Sequence, residues 1–159
     1  MRRRALIAGA FSLVFAASVA QAQDKPNFAG TWTLCPEPTA DGRVVGGGLG
    51  QTATITQDAK TLTLTRTTQA GEIKAVYNLD GSESKNMVNM RGGQVEQVSK
   101  ATWEGNKLTI STNFTVGENA ITTTQSFALD ASGELIHTTS RMARGGAAPA
   151  TVTSKYTKG

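Results

Sequence analysis

The sequence predicts an all-β domain: an antiparallel up-and-down meander closed into a barrel of about 8–10 strands. Three observations lead there. Apolar residues alternate with polar ones at period two, the mark of half-buried strands. Gly, Asn and Asp punctuate the chain at the ~8–12-residue spacing of sandwiches and barrels. No stretch carries the 3.6-residue periodicity of a helix. A two-sheet β-sandwich is the competing architecture.

About nine strands can be placed in order on these signals. Phe28, Gly30, Trp32 and Leu34 share one face of the first. Residues 36–50 follow as a loop, with two prolines and the run Gly46-Gly47-Gly48. Ala53 and Ile55 mark the second strand, and the turn Gln57-Asp58-Ala59-Lys60 leads to Leu62 and Leu64. Gln69-Ala70-Gly71 turns the chain into Ile73, Ala75, Tyr77 and Leu79. Asp80-Gly81 is a strong turn dipeptide, after which Lys85 to Met90 reads as a short, weak strand. Arg91-Gly92-Gly93 turns into Val95 through Trp103, and Glu104-Gly105-Asn106 makes a tight hairpin with Leu108, Ile110, Thr112 and Phe114. Gly117-Glu118-Asn119 connects to Ile121 through Leu129, and Asp130-Ala131-Ser132-Gly133 to Leu135 through Arg141. Residues 143–150 form a loose loop before a last strand, Thr151 to Thr157. Strands joined by short turns pair as antiparallel neighbours, and closure removes the two free edges of such a meander.

The N-terminus predicts export. Arg2, Arg3 and Arg4 precede an apolar run from Ala5 to Ala20, and Ala20-Gln21-Ala22 has small residues where a signal peptidase cuts. The run is shorter than the ~20 residues of a membrane span, and polar residues follow at once, so no integral membrane span is expected. Segment 1–22 is therefore read as a signal peptide cleaved near Ala22, and 23–159 as one barrel domain of an exported protein, periplasmic or secreted. Of the 16 Lys+Arg in the chain, three lie in that segment, leaving 13 against 12 Asp+Glu and a net charge of +1. That near-neutral balance gives no reason to expect nucleic acid as a partner. Cys35 is the only cysteine, which excludes an internal disulfide; it reads as a buried thiol, or else as an intermolecular disulfide or reactive group.

The inward phase of several strands turns polar. Gln97 and Ser99 lie between Val95 and Trp103, Thr123 and Gln125 between Ile121 and Phe127, and Thr112 between Ile110 and Phe114. His137, Thr139 and Arg141 follow Leu135. A dry core would leave such groups unpaired at a cost of about 1–3 kcal/mol each. A barrel lumen holding water or a small ligand would satisfy them. A β-bulge in each strand, turning these residues outward, is the alternative. On the lumen reading, Tyr77, Gln97, Thr112, Thr123, Gln125, His137 and Arg141 are the candidate ligand-binding residues.

Phe28-Ala29-Gly30-Thr31-Trp32 resembles the Gly-x-Trp signature that opens the first strand of lipocalins and fatty-acid-binding proteins, the calycin superfamily. The stretch Lys100 to Leu108 resembles a hairpin of the fatty-acid-binding proteins. The resemblance implies a lipocalin-like β-barrel with Gly30 and Trp32 as its structural motif. It also implies that Trp32 closes one barrel end under a stacked cation, supplied by Arg141 or Lys155. Fatty-acid-binding proteins place a helical lid where residues 36–50 here are rich in Gly and Pro. Their last strand carries an Arg-x-Tyr pair, whereas Lys155 and Tyr156 are adjacent and point to opposite faces. An exported lipocalin-like protein is the nearer match.

No catalytic constellation accompanies His137, the only histidine. The acidic loop Asp80 to Asn86 lacks EF-hand spacing, and Arg91-Gly92-Gly93 and Arg144-Gly145-Gly146 read as turns. No metal or cofactor is expected. The function expected is noncatalytic binding of a small hydrophobic or amphipathic molecule in the lumen. The alternatives are an envelope protein-interaction module with a filled core, whose partner would be another envelope protein, and an isomerase or hydrolase built on His137.

Overall fold

A computed structural model of the chain describes residues 24–36, 48–68, 71–90, 92–142 and 149–159. The predicted signal peptide and most of the loops 37–47 and 143–148, with Gln69, Ala70 and Arg91, lie outside them. The described residues form ten strands and no helix: β1 (Gly30–Leu34), β2 (Thr52–Gln57), β3 (Thr61–Thr68), β4 (Gly71–Asn78), β5 (Glu83–Met90), β6 (Gly93–Glu104), β7 (Lys107–Val116), β8 (Asn119–Leu129), β9 (Leu135–Arg141) and β10 (Ala150–Lys158). All pairings are antiparallel, and one sheet holds every strand in the order β4-β3-β2-β1-β10-β9-β8-β7-β6-β5. The architecture is a single curled sheet, an up-and-down barrel, and not two packed layers. Among the described residues no helix is long and apolar enough to cross a membrane.

Period-two alternation explains why these segments are strands. In β2, Ala53 and Ile55 are buried while Thr54 and Thr56 face solvent; in β7, Leu108, Ile110, Thr112 and Phe114 are buried in turn. The outer face is largely threonine, as in the cross-strand pairs Thr54–Thr65, Thr56–Thr63 and Thr102–Thr109. A β-branched side chain loses little freedom on a pleated surface and packs well against its cross-strand neighbour. Each ladder from β6 to β9 runs without a break in register. No bulge therefore turns Gln97, Thr112, Thr123 or Gln125 outward.

The backbone ladder does not close between β4 and β5. These strands are joined by the Asp80-Gly81 turn and were expected to pair as neighbours, yet they form the two edges of the sheet. Side chains make the seam instead. Asn86 accepts from the Val76 amide (2.8 Å) and donates to the Val76 carbonyl (2.9 Å). Ser84 Oγ accepts from the Asn78 amide (2.7 Å), and Asn78 Nδ2 donates to the Glu83 carbonyl (3.0 Å). The segment expected to be a short, weak strand is thus a full eight-residue edge strand.

One end of the barrel is packed dry. Phe28 lies just before β1, not within it, yet is fully buried. Its ring stacks on Trp103 and meets Phe127, both at 6.0 Å between centroids, while its carbonyl accepts from Trp32 Nε1 at 2.8 Å. Gln57 anchors this approach by accepting from the Phe28 amide and donating to the Pro26 carbonyl. The cation over Trp32 is Lys158, 5.7 Å from the ring centre. It is neither of the expected residues. Lys155 points to the outer wall, where it pairs with Asp130 (3.4 Å) and Glu134, and Arg141 stands at the other end of β9. Gly30 serves this arrangement. Its φ is +149°, and a Cβ there would stand 2.5 Å from Lys158 Cε.

At the opposite end, the last residues of the β1–β2 connection enter the lumen. Leu49, expected within a Gly-rich loop, is fully buried in the core cluster. Tyr156 Oη accepts from the Leu49 amide (3.1 Å) and donates to the Gly50 carbonyl (3.2 Å), and Arg66 Nη1 donates to the Gly48 carbonyl (2.7 Å). Cys35, just past the end of β1, is half-buried. Because Leu49 has no exposed surface to lose, Leu49→Ala is expected to cost about 2–5 kcal/mol by transfer and cavity terms. Urea unfolding checks this; a change under ~0.5 kcal/mol, the usual size at a surface position, would contradict the insertion.

Candidate functional site

The hairpins split the barrel into two ends with different linings. The turns after β2, β4, β6 and β8 surround the aromatic cluster. The C-terminal ends of β3, β5, β7 and β9 lie around a cavity of about 220 Å³. The inward side chains of β3 to β9, apart from the buried apolar base, converge there. Leu64, Ile73, Val88, Met90 and Phe114 supply apolar wall; Tyr77, Gln97, Thr112, Thr123, Gln125 and Arg141 supply polar groups. Six of the seven residues singled out in the sequence are therefore brought together on one cavity. His137 is not among its lining residues. It is 1% exposed, packed against Phe127 (4.9 Å between ring centres) and edge-on to Tyr156 (6.5 Å), and covered by Gly48. A Cβ at Gly48 would stand 2.8 Å from His137 Cε1 and 2.9 Å from Thr139 Cγ2. Only glycine lets the backbone approach the ring this closely.

His137 reaches the cavity through Gln125. Gln125 Nε2 donates to Tyr77 Oη at 3.1 Å, which turns Oε1 toward His137 Nε2 at 3.3 Å. The amide orientation fixes the imidazole proton on Nε2, because Oε1 can only accept. Nδ1 is buried without a partner among the described residues. Deeper in the lumen Ser99 and Thr112 satisfy each other at 2.8 Å. Tyr77, Gln125 and His137 thus hold one another in place, as do Ser99 and Thr112.

Two cations face the same space. Arg141 lies at the rim, exposed. Arg66, which the sequence reading passed over, lines the cavity from β3. Its signal was available, since the apolar phase Leu62, Leu64 continues to position 66. The guanidinium makes itself felt across the lumen. His137 is pushed down from 6.5 to about 4, first by burial and then by the Arg66 charge. Burial raises the Tyr77 phenol above its ordinary value, partly offset by the Gln125 hydrogen bond and Arg66. At neutral pH the site therefore presents a neutral imidazole, a neutral phenol and two arginines.

The sequence matches no family model, and no curated protein matches it.

Nε2 of His137 meets Gln125 Oε1 at 3.3 Å, and among the described residues no hydroxyl or thiol is hydrogen-bonded to the ring. Among the described residues no three His, Cys, Asp or Glu side chains converge.

The depressed value of His137 has a consequence for stability. The native state binds fewer protons than the unfolded chain between pH 6.5 and 4, so stability is whole above about pH 6.5 and falls as pH drops toward 4. The loss is about 3 kcal/mol on the basis of ~1.4 kcal/mol per unit. His137→Gln keeps a donor for Gln125 without a titrating ring. Its urea midpoint is expected to vary much less than the wild-type midpoint between pH 6.5 and 4.5; parallel curves would refute the linkage.

Proposed function

We propose that the protein is an exported, noncatalytic binder of a small, partly apolar molecule held in the barrel lumen. The observation that carries this reading is the convergence of inward side chains from β3 to β9 on one cavity, apolar on some walls and polar on others. Ligand sites are of this kind: mostly apolar concavities with a few placed polar groups that fix orientation. A lumen serving only as a core would have no use for Gln97, Thr123 and Gln125 among its inward groups, since each needs a partner when buried.

Size narrows the ligand. At about 220 Å³ the cavity falls below the ~300–1,000 Å³ of pockets that enclose drug-sized molecules. A compact guest fits, such as one aromatic ring with a polar substituent. A long acyl chain does not fit inside, because the aromatic cluster and Leu49 occupy the rest of the lumen. The lipocalin-like resemblance agrees with this reading at the level of barrel shape and of Gly30 and Trp32. The fatty-acid route does not, since Tyr156 is spent on the Leu49–Gly50 backbone.

Both tryptophans lie at the aromatic end, away from the cavity, so their fluorescence is a poor reporter. Chemical-shift mapping is the better test. A set of compact aromatic alcohols, amides and acids titrated into ¹⁵N-labelled protein is expected to give saturable shifts clustered on Tyr77, Thr123, Gln125 and Arg141. Thr123→Phe, which fills the lumen, should weaken binding by about tenfold or more, the equivalent of ~1.4 kcal/mol. Shifts confined to the outer wall, or none for any compound, would reject the reading. Export has its own check: protein recovered from the envelope of the native host should begin at or near Gln23, and a retained Met1 would reject cleavage.

A further inference from the structure

We propose that the lumen selects organic anions, seating an acidic group between Arg66 and Arg141 while the rest of the guest lies on the apolar wall of β4 and β5; this rests on the lumen-binding reading above.

The charge pattern of the cavity carries the inference. Arg66 and Arg141 both line it, and among the described residues no Asp or Glu does. The ion pairs found among the described residues belong to Lys85, Lys107 and Lys155 on the outside of the barrel. Neither arginine is neutralised by a carboxylate there. Arg66 is half-buried and turned to the lumen, where it is less hydrated than on the outer wall, and a cation needed only for solubility would gain nothing from that placement. Walls of low dielectric also focus the field of like charges into the cleft, which raises the local concentration of the opposite ion.

The arrangement also fits an acid in its hydrogen bonding. Arg66 spends one N–H, on the Gly48 carbonyl, and a guanidinium has five to offer in a planar fork matched to carboxylate or phosphate. The two arginines approach from opposite flanks. β3 and β9 are separated in the sheet by β2, β1 and β10, and Gly48 bridges the gap, bonded to Arg66 and packed on Thr139 two residues before Arg141. Tyr77 adds a donor. Its oxygen already accepts from Gln125, and its own proton has no acceptor among the described residues. Arg66, Arg141 and Tyr77 thus turn donors to the seat, and the neighbouring imidazole stays neutral and does not compete for the anion. Beside Arg66, its cross-strand neighbour Ile73 and, on β5, Val88 and Met90 offer an apolar bed.

The test uses the near-isosteric pair benzamide and benzoate, with phenyl phosphate as a larger tetrahedral anion, titrated by chemical-shift mapping into the full-length mature protein at low and moderate salt. Charged hydrogen bonds of ~1.5–3 kcal/mol correspond to a preference for the anions over benzamide of about 10- to 150-fold. Arg141→Gln, at an exposed position, should lower the ratio of anion to benzamide affinity severalfold. Arg66→Gln should reduce it as well; because Gln can still reach toward Gly48, circular dichroism and urea unfolding report separately whether the fold is kept. If benzamide binds in the lumen as tightly as benzoate, or if Arg141→Gln leaves the anion-to-amide ratio unchanged, anion selection is overturned while lumen binding stands. If none of the three shifts a lumen resonance, both readings fall. A preference for phenyl phosphate over benzoate, or the reverse, supports the proposal and names the acid.

Discussion

Everything in this molecule depends on a strict alternation that survives closure. Once a sheet curls shut, each strand commits every second side chain to the inside. No ladder from β6 to β9 slips or bulges, so the choice of residue at each inward position is a choice about the lumen. The outer positions are free to be threonine, lysine and asparagine, which give strand propensity and solvation without affecting the interior. The inner positions divide by depth: large apolar groups toward one end, amides, hydroxyls and guanidinium groups toward the other.

That division gives the two ends different tasks. The aromatic end supplies cohesion. Phe28, Trp32, Trp103 and Phe127 pack as one cluster, and a fully buried side chain of this kind contributes about 1.5–3 kcal/mol. The other end keeps open space and pre-arranged polar groups. The inserted segment Gly48 to Gly50 is the partition between them: Leu49 belongs to the core, while the Gly48 carbonyl belongs to the network around Arg66. The same glycine that shields His137 brings a backbone oxygen to the guanidinium. The partition therefore ties the sheltered, neutral imidazole to the charge above it.

Much of the fold was readable in residue order, because strands leave a local signature. Period two marked part of every strand, including the weakly patterned β5, although β3 runs on to Thr68, past the alternation read as far as Leu64, and it placed Tyr77, Gln97, Thr112, Thr123, Gln125 and Arg141 on a common side. The same phase pointed to Arg66, but the eye stopped at Leu64. What was not readable depended on contacts between distant residues. Leu49 sits among glycines with no periodicity to mark it, and only Tyr156, more than a hundred positions away, makes its burial sensible. Lys158 over Trp32 could not be told from Lys155 or Arg141 by pattern, since the choice follows from the β1–β10 register. The β4–β5 edge was hidden for the opposite reason: a short turn normally means a paired hairpin, and here the chain breaks that rule. His137 shared the inward phase, but its depth beneath Gly48 is a tertiary fact.

The seam between β4 and β5 bears on how the protein lives among other chains. An open sheet margin ordinarily offers bare amides and carbonyls on which a foreign strand can crystallise, the first step toward fibres. Here Asn86 occupies both main-chain groups of Val76, and Ser84 occupies the amide of Asn78. The margin is stapled shut by short polar arms, so a stray polypeptide meets no vacant docking row. Polymerisation is thereby discouraged at the one place where the barrel lacks a hoop.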